Sequence, residues 1–264
     1  MTLNPNSLNG VRILITRAPE QATLFAEQVE RLGAKALQVP LINVRPCLGQ
    51  EQRVQLVSKL DSFQWIVFTS VNGVTFFLDS LTEQERKIIR HSINVASVGT
   101  QTTKRLLDYG IHVDLMPTHY EAGSLAEALL SETQIGDHIL IPRGNLARPL
   151  LANKLKDSAR VVTDLPVYET FQPSVAQKQL ETIAATSVHP NYLTFTSAST
   201  VRHYCTISSR IFGGTSHFFQ NAKVVCIGPI TAIEAKKHGL TVAAVPSVYT
   251  TKAMIEEMVR LNKE

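Results

Sequence analysis

The stretch that decides the fold is Ile13-Leu14-Ile15-Thr16-Arg17, because it returns 126 positions later as Ile139-Leu140-Ile141-Pro142-Arg143. Each copy is a short apolar run that ends on an arginine, which is the pattern of a buried strand reaching the edge of a sheet. Three further echoes occur at nearly the same spacing: Val39-Pro40-Leu41 with Leu165-Pro166-Val167, Phe68-Thr69-Ser70 with Phe195-Thr196-Ser197, and Val95-x-x-Val98-Gly99-x-x-Thr102 with Val224-x-x-Ile227-Gly228-x-x-Thr231. Such repetition indicates two copies of one design.

Short apolar runs alternate with helical patterns along both copies, which is typical of βα units around a parallel sheet. Pro19 opens the first helix and Gly33 ends it. Ser124 and Glu127 have the spacing of a capping box for a later helix. The sequence therefore predicts an α/β protein with two doubly wound sheets. Its predicted strands lie at 11–16, 35–39, 65–69, 95–98, 112–115, 139–141, near 161, 193–195, 224–227 and 241–244, and its clearest further helices at 72–81, 101–109, 148–155 and up to about 261.

Two positions for a domain boundary fit the repeat. A simple cut near residue 135 separates the copies. Alternatively, the β-rich, proline-bearing segments 39–44 and 165–170 pair as a two-stranded hinge that the chain crosses twice, which makes one domain discontinuous. Because 264 residues exceed the usual size of one compact core, both alternatives agree with two domains.

Composition restricts the classes of function. Hydrophobic residues make up 44% and charged residues 18% of the chain, as in soluble globular proteins, and no apolar run reaches the roughly 18 residues that cross a bilayer. Residues 1–10 lack the apolar core of a signal peptide, and three scattered cysteines predict neither disulfides nor a thiolate metal site. We therefore expect a cytoplasmic protein without membrane contact. The 26 basic and 22 acidic residues form no clustered basic stripe, so nucleic acid is not an expected partner, whereas a small anion is compatible.

Hydroxyl-bearing turns follow four of the predicted strands. Ligands of open α/β sheets bind beyond the carboxyl ends of the strands, where helix N-termini present free backbone N–H groups. Simple capping of each helix is the alternative for any one hydroxyl, but four similar turns in symmetric positions favour binding of carboxylates. Pro229 removes one backbone donor from the last turn, so the two halves should bind unequally. The candidate binding residues in these turns are Ser70, Asn72, Gly99, Thr102, Ser197, Gly228 and Thr231.

Three further side chains are candidates. Arg17 and Arg143 end equivalent strands, where a guanidinium can fork onto a carboxylate of a ligand or pair with a neighbouring acid. Tyr168 lies in the predicted hinge, where its hydroxyl faces a cleft or its ring covers a strand pair. The chain has no Gly-x-Gly-x-x-Gly, Gly-x-x-x-x-Gly-Lys, His-Glu-x-x-His or Gly-x-Ser-x-Gly motif, which disfavours nucleotide, zinc and serine-hydrolase sites. We expect no metal site.

Together, the Phe-Thr-Ser turns, the Gly-x-x-Thr turns before helices ending at Gly110 and Gly239, and Val167-Tyr168-Glu169-Thr170 resemble the uroporphyrinogen-III synthase family. The likeness extends from Val11 to about Met258. It implies two flavodoxin-like α/β domains joined by a two-stranded β linker, which favours the crossing hinge over the simple cut. The implied first domain is 1–40 plus 173–264, the second is 45–165, and the linker is 41–44 with 166–172.

The resemblance also implies a reaction. Members of the family cyclise hydroxymethylbilane, a linear tetrapyrrole with acetate and propionate on every ring, to uroporphyrinogen III, inverting ring D through a spiro intermediate with loss of water. On this basis Tyr168 is the expected catalytic proton donor, and the four turns and the two arginines bind the substrate. A cytoplasmic monomer without a cofactor is expected, with transient contact to the enzyme that supplies the bilane. The alternative is a non-catalytic two-domain cytoplasmic receptor for a small polycarboxylate.

Overall fold

The computed structural model describes residues 4–119, 121–213 and 217–263, and the chain divides into two compact units. One unit comprises residues 1–43 and 171–264, and the other comprises residues 44–170. The chain therefore passes from the first unit to the second near residue 43 and returns near residue 171. A boundary near residue 135 would fall inside the second unit.

The described residues form ten strands and eleven α-helices. The strands are β1 (Arg12–Ile15), β2 (Lys35–Gln38), β3 (Asn43–Pro46), β4 (Trp65–Phe68), β5 (Asn94–Ser97), β6 (His138–Gly144), β7 (Val161–Phe171), β8 (Tyr192–Phe195), β9 (Lys223–Cys226) and β10 (Val242–Ala244). The helices are α1 (Pro19–Glu30), α2 (Gln50–Val57), α3 (Val71–Asp79), α4 (Glu83–Ser92), α5 (Thr100–Asp108), α6 (Ala122–Glu132), α7 (Leu150–Asp157), α8 (Val175–Ala184), α9 (Ala198–Phe212), α10 (Pro229–Lys237) and α11 (Thr251–Leu261).

Each unit contains one five-stranded sheet. The first sheet has the order β10-β9-β8-β1-β2, with parallel pairing throughout. Renumbered within its own unit, this is the order 2-1-3-4-5 of flavodoxin-like folds. The second sheet has the order β3-β7-β6-β4-β5, in which β7, β6, β4 and β5 also pair in parallel. The prediction of two doubly wound, flavodoxin-like parallel sheets is confirmed.

The sequence echoes occupy equivalent places in the two sheets. Ile13 on β1 is paired with Tyr192 on β8, and its counterpart Ile139 on β6 is paired with Trp65 on β4. The second sheet is thus a circularly permuted copy of the first, in which β6 and β7 replace β1 and β2. The strand β3 is an addition beyond β7.

Both faces of each sheet are covered, which explains the continuous apolar runs. Ile13 and Ile15 pack into one core of the first unit, whereas the intervening Leu14 packs into the other, as the two-residue period of a strand requires. Among the helices, α1 contributes one apolar face. In α1, the buried residues are Ala22, Phe25, Ala26 and Val29, at the spacing of one helical stripe.

Several sequence predictions need correction. No strand forms at 112–115, where Leu115 makes only an isolated bridge to Ala96. The capping box at Ser124 is wrong, because α6 begins two residues earlier and its N-cap is Glu121, so that Ser124 lies within the first turn. The helix predicted at 148–155 begins and ends two residues later. The helices α2, α4 and α8 were not among the predicted elements.

Within the described ranges, no helix has the length and apolar character needed to cross a membrane. The same ranges contain no group of three His, Cys, Asp or Glu side chains placed to hold a metal ion. Cys47, Cys205 and Cys226 are free thiols.

Candidate active site

Four candidate residues lie along one edge of the second sheet. Ser70 follows β4 and Gly99 follows β5, while Arg143 and Tyr168 lie near the carboxyl ends of β6 and β7. These four strands are neighbours in the order β7-β6-β4-β5 and run in parallel, so their carboxyl ends share one edge. The helices α3 and α5 begin at the same edge and present their N-terminal N–H groups there.

Ser70 has two roles at this edge. It is the N-cap of α3, where its Oγ accepts a hydrogen bond from Gly73 N–H at 3.0 Å. The same Oγ lies 3.3 Å from Tyr168 Oη, with either hydroxyl able to donate. Asn72 is half-buried in the first turn of the same helix. Capping and a place in the candidate site are therefore compatible for Ser70.

Tyr168 is half-buried and held through both its ring and its backbone. The ring stacks on Phe76 of α3, with centroids 5.4 Å apart and planes inclined by 22°. The backbone C=O accepts a hydrogen bond from Asn145 N–H at 3.0 Å. A phenol with a fixed ring and a hydroxyl neighbour has the features of a proton donor or acceptor.

Arg143 forms an internal ion pair. Its Nε and Nη2 fork onto the two carboxylate oxygens of Asp164, with Nη2 to Oδ2 at 2.9 Å, and its Nη1 donates to Gly144 C=O at 2.8 Å. Both side chains are only 19% exposed. The hydrogen bond to Asp164 raises the pKa of Arg143. The neighbouring-acid alternative therefore describes Arg143 in this structure, and its charge is already paired.

Arg17, the counterpart in the first unit, has a neutral partner instead. Its Nη2 donates to the Gln21 carboxamide oxygen at 2.9 Å. Burial lowers the pKa of Arg17, which follows from removing a cation from water without placing a carboxylate beside it. Of the two arginines predicted to bind substrate, Arg17 is the one whose guanidinium can donate to a ligand carboxylate without first releasing an acidic side chain.

The remaining candidates of the first unit line the carboxyl edge of its sheet. Ser197 is the N-cap of α9, accepting from Thr200 N–H at 3.2 Å, and its Oγ lies 2.9 Å from Ser199 Oγ. Gly228 is the N-cap of α10. A Cβ at Gly228 would lie 3.4 Å from the ring of Tyr249, so the glycine lets that ring lie close to the backbone.

The two threonines of the Gly-x-x-Thr turns are less accessible than predicted for ligand-binding side chains. Thr102 is 4% exposed and Thr231 is 5% exposed. Each lies three residues after its N-cap glycine, in the first turn of α5 or α10. In these turns the backbone N–H groups, rather than the threonine hydroxyls, are the donors that the helix N-terminus presents.

The family is decided by a match over most of the chain. The sequence profile of the family described as uroporphyrinogen-III synthase HemD matches residues 23–256. The chain belongs to the uroporphyrinogen-III synthase HemD family. The resemblance drawn from the paired turns and the segment around Tyr168 is thereby confirmed.

Individual relatives in the uroporphyrinogen-III synthase family agree with this assignment. The uroporphyrinogen-III synthase of Synechococcus elongatus is 28% identical over 232 residues, which cover 87% of each chain. The uroporphyrinogen-III synthetase of Helicobacter pylori superposes with a TM-score of 0.64 at 17% identity, covering 95% of this chain and 99% of the other. A mutant uroporphyrinogen III synthase from Thermus thermophilus gives 0.63 at 16% identity, covering 97% and 100%. These two superpositions show a shared fold.

Sequence reasoning about this uroporphyrinogen-III synthase family member missed several residues at the second sheet's edge. The fold brings Phe76 into contact with Tyr168 and Asp164 into contact with Arg143, and no local sequence motif marks either Phe76 or Asp164. Gly144 was also overlooked, although the repeat contains a signal. Its counterpart 126 positions earlier is Ala18, so the two copies differ in side chain directly after the repeated arginine.

Proposed function

We propose that this chain is a lyase that cyclises hydroxymethylbilane to uroporphyrinogen III, inverting ring D through a spiro intermediate and releasing water. Membership of the family supports the substrate and product. The observation that carries the chemistry is the placement of the Tyr168 hydroxyl 3.3 Å from Ser70 Oγ, at the edge where α3 and α5 begin. This edge combines a proton donor with groups that bind anions.

Binding is assigned to donors in both units. The substrate carries an acetate and a propionate on every ring, so many separate carboxylates must be held. The N-terminal N–H groups of α3, α5, α9 and α10 supply weakly directional anion sites, with Ser70, Asn72, Ser197, Gly99 and Gly228 at or next to their caps. Arg17 adds a charge-assisted site. Thr102 and Thr231 contribute through their backbone, and Arg143 acts indirectly by holding Asp164 and Gly144 C=O.

The proposed reaction begins with the departure of the terminal hydroxyl of the bilane. Tyr168 Oη gives a proton to that oxygen, which leaves as water and generates a carbocation at the ring A methylene. The substituted carbon of ring D then attacks this cation to form the spiro intermediate. The bond from that carbon to the methylene that links it to ring C breaks, the methylene bonds to the free α-carbon of ring D, and the proton displaced from that carbon returns to the Tyr168 phenolate. Ser70 Oγ can donate a hydrogen bond to the phenolate while its proton is away. General acid catalysis of this kind contributes about 10² to 10⁴ in rate, and a folded substrate adds the advantage of aligned intramolecular reactants.

The cellular setting is also part of the proposal. We place the enzyme in the cytoplasm, as a monomer without a cofactor that makes transient contact with the enzyme supplying its unstable bilane. The rival function is a non-catalytic receptor for a polycarboxylate, which would bind the bilane and release it unchanged. Turnover separates the two functions, because a receptor leaves only the spontaneous closure, which gives the type I isomer.

The decisive experiment supplies enzymatically generated hydroxymethylbilane and separates the type I and type III products by chromatography. We expect type III in excess with the native chain. Tyr168→Phe should lower the rate of type III formation about 100-fold or more, with KM changed little, because the proton donor is lost but the binding groups remain. Tyr109→Phe is the matched control, since that phenol donates to Asp79 away from the strand ends. Type I alone with the native chain would refute the synthase assignment, and unaltered turnover of Tyr168→Phe would remove Tyr168 from the mechanism.

A further inference from the structure

The ring of Tyr168 occupies a slot whose walls have no assigned role in the reaction. Phe76 stacks on the ring at 5.4 Å between centroids. Gly144, at the end of the neighbouring strand β6, is paired with Tyr168 in the sheet register. The slot therefore joins a helix and two strands around one phenol.

Gly144 leaves room for the phenol by lacking a side chain. A Cβ at this position would lie 2.6 Å from Tyr168 Cζ, 2.7 Å from Cε2 and 2.8 Å from Oη. Such separations are well inside van der Waals contact, which for carbon atoms is about 3.5–4.0 Å. The three close atoms include the hydroxyl oxygen, so an alanine here forces the reactive end of the ring to move.

The backbone beside the slot is also fixed. Asn145 N–H donates to Tyr168 C=O at 3.0 Å, and Asn145 Oδ1 accepts from Thr170 N–H at 2.9 Å. The register between β6 and β7 shifts between Arg143 and Gly144, so the usual ladder is interrupted at this point. Both the main chain and the side chain of Asn145 therefore bond the segment of β7 that carries Tyr168.

The first unit has the same strand ends but no such slot. At the repeat spacing, Ala18 replaces Gly144, Ile42 replaces Tyr168 and His203 replaces Phe76. The His203 Nδ1 is engaged with Leu41 C=O at 2.7 Å. The absent Cβ and the stacking ring thus occur only in the copy that carries the phenol, although both copies share the fold that surrounds them.

We propose that Gly144 and Phe76 are positioning residues, which hold the Tyr168 hydroxyl beside Ser70 in the orientation that proton transfer to the substrate requires. The inference rests on the proposed function of Tyr168 as proton donor. Neither residue needs to touch the substrate. Their effect on the reaction should therefore pass entirely through the phenol.

The test begins with Gly144→Ala and Phe76→Leu. Each should lower kcat for type III formation by about tenfold to 100-fold while KM changes less than about twofold, because a displacement of roughly 1 Å can cost 10² in rate. Gly123→Ala is the control for the added methyl, since a Cβ there meets only the Lys154 ammonium nitrogen, at 4.0 Å. Phe77→Leu is the control for the lost ring, because Phe77 packs on Phe68 in the core of the same unit. Both controls should keep the native kcat.

Two readouts distinguish positioning from a merely structural effect. In a Tyr168→Phe background, Gly144→Ala should cause no further fall in kcat, because no hydroxyl remains to be misplaced. In protein labelled with 3-fluorotyrosine, the ¹⁹F resonance of residue 168, identified by its loss in Tyr168→Phe, should move in Gly144→Ala and Phe76→Leu and stay in place in the controls.

The outcomes are separable. Native kcat in both slot variants, an unmoved resonance, or an equal fall in kcat in the Tyr168→Phe background would each overturn the inference. If Gly144→Ala does not fold, Phe76→Leu decides the inference by the same readouts. If Tyr168→Phe itself keeps the native kcat, the proton-donor proposal fails, while the resonance still shows whether Gly144 and Phe76 hold the ring.

Discussion

Arg17 and Arg143 occupy equivalent strand ends but should respond differently to the same substitution. Arg17→Met and Arg143→Met each remove the guanidinium and keep an apolar side chain of similar length. Arg17 is bonded to the neutral carboxamide of Gln21, whereas Arg143 forks onto Asp164. We expect the first variant to lose substrate affinity and the second to lose stability.

The magnitudes follow from the partners. In Arg143→Met, the Asp164 carboxylate, 19% exposed, loses both hydrogen bonds of its ion pair. Hydrogen bonds to charged groups contribute about 1.5–3 kcal/mol, so a loss of about 2 kcal/mol in unfolding free energy is expected. In Arg17→Met, the partner left behind is the neutral and exposed Gln21 carboxamide, which water can solvate, so we expect a smaller cost of about 0.5–1.5 kcal/mol. A substrate carboxylate on Arg17 would contribute about 1.5–3 kcal/mol, which corresponds to a rise in KM of roughly tenfold to 100-fold.

The assay combines urea unfolding, followed by circular dichroism, with steady-state kinetics of type III formation. The double variant Arg143→Met/Asp164→Leu is the control, because removing both members of a buried pair leaves no unpaired charge and should restore most of the stability. An equal rise in KM in both single variants would refute the division of roles. So would a loss of stability larger in Arg17→Met than in Arg143→Met.

Two further predictions concern a helix cap and pH. Ser70→Ala and Thr82→Ala should each cost about 1 kcal/mol of unfolding free energy by removing an N-cap, but only Ser70→Ala should also lower kcat, because Ser70 alone of the two contacts Tyr168. Burial lowers the pKa of His217 below its ordinary value of 6.5, so the unfolded chain takes up a proton first as the pH falls. The His217 contribution to stability is thus complete above about pH 7 and declines below pH 6.5. Between pH 8 and pH 5, the midpoint of thermal unfolding should therefore fall less steeply in His217→Leu than in the native chain. Equal slopes in the two proteins would contradict this cause.

The strands were predictable because burial on both faces leaves a strong local signal. Ile13-Leu14-Ile15 and its echo at residue 139 must be apolar at every position, since alternate side chains enter different cores. The same requirement keeps the strand register equivalent in the two sheets, since Ile13 is paired with Tyr192 and its counterpart Ile139 is paired with Trp65. Because equivalent packing constrains both copies alike, the repeat in the sequence predicts the strands of both sheets.

The missed helices carry weaker patterns. In α2 the only buried residue is Leu56, and in α4 the only buried residue is Ile89, so neither shows an apolar stripe. The capping box of Thr82 and Glu85 was the available signal for α4. The segment 112–115 alternates polar and apolar residues as a strand does, but it makes only one bridge in the sheet. Local sequence therefore fails where burial is slight or pairing is incomplete.

The candidate site was predictable as a set of turns but not as a set of contacts. Ser70 and Ser197 were predictable because serine just before a helix is a favoured N-cap. The partner of Ser70 is Tyr168, 98 residues away, and only the pairing of β6 with β7 brings that phenol to the strand ends. No spacing in the sequence encodes such a contact.

The chemistry of the two copies diverges at positions where the sheets remain equivalent. Gln38 on β2 and Asp164 on β7 are paired with corresponding isoleucines, Ile15 and Ile141, yet only Asp164 can neutralise the arginine of its own copy. Arg143 is thereby paired with an acid of its own unit, whereas Arg17 donates to the neutral Gln21 carboxamide. The phenol and its slot likewise occur in the second copy alone. The two copies therefore present different chemical groups at equivalent strand ends, although the strand pairing that carries them is the same.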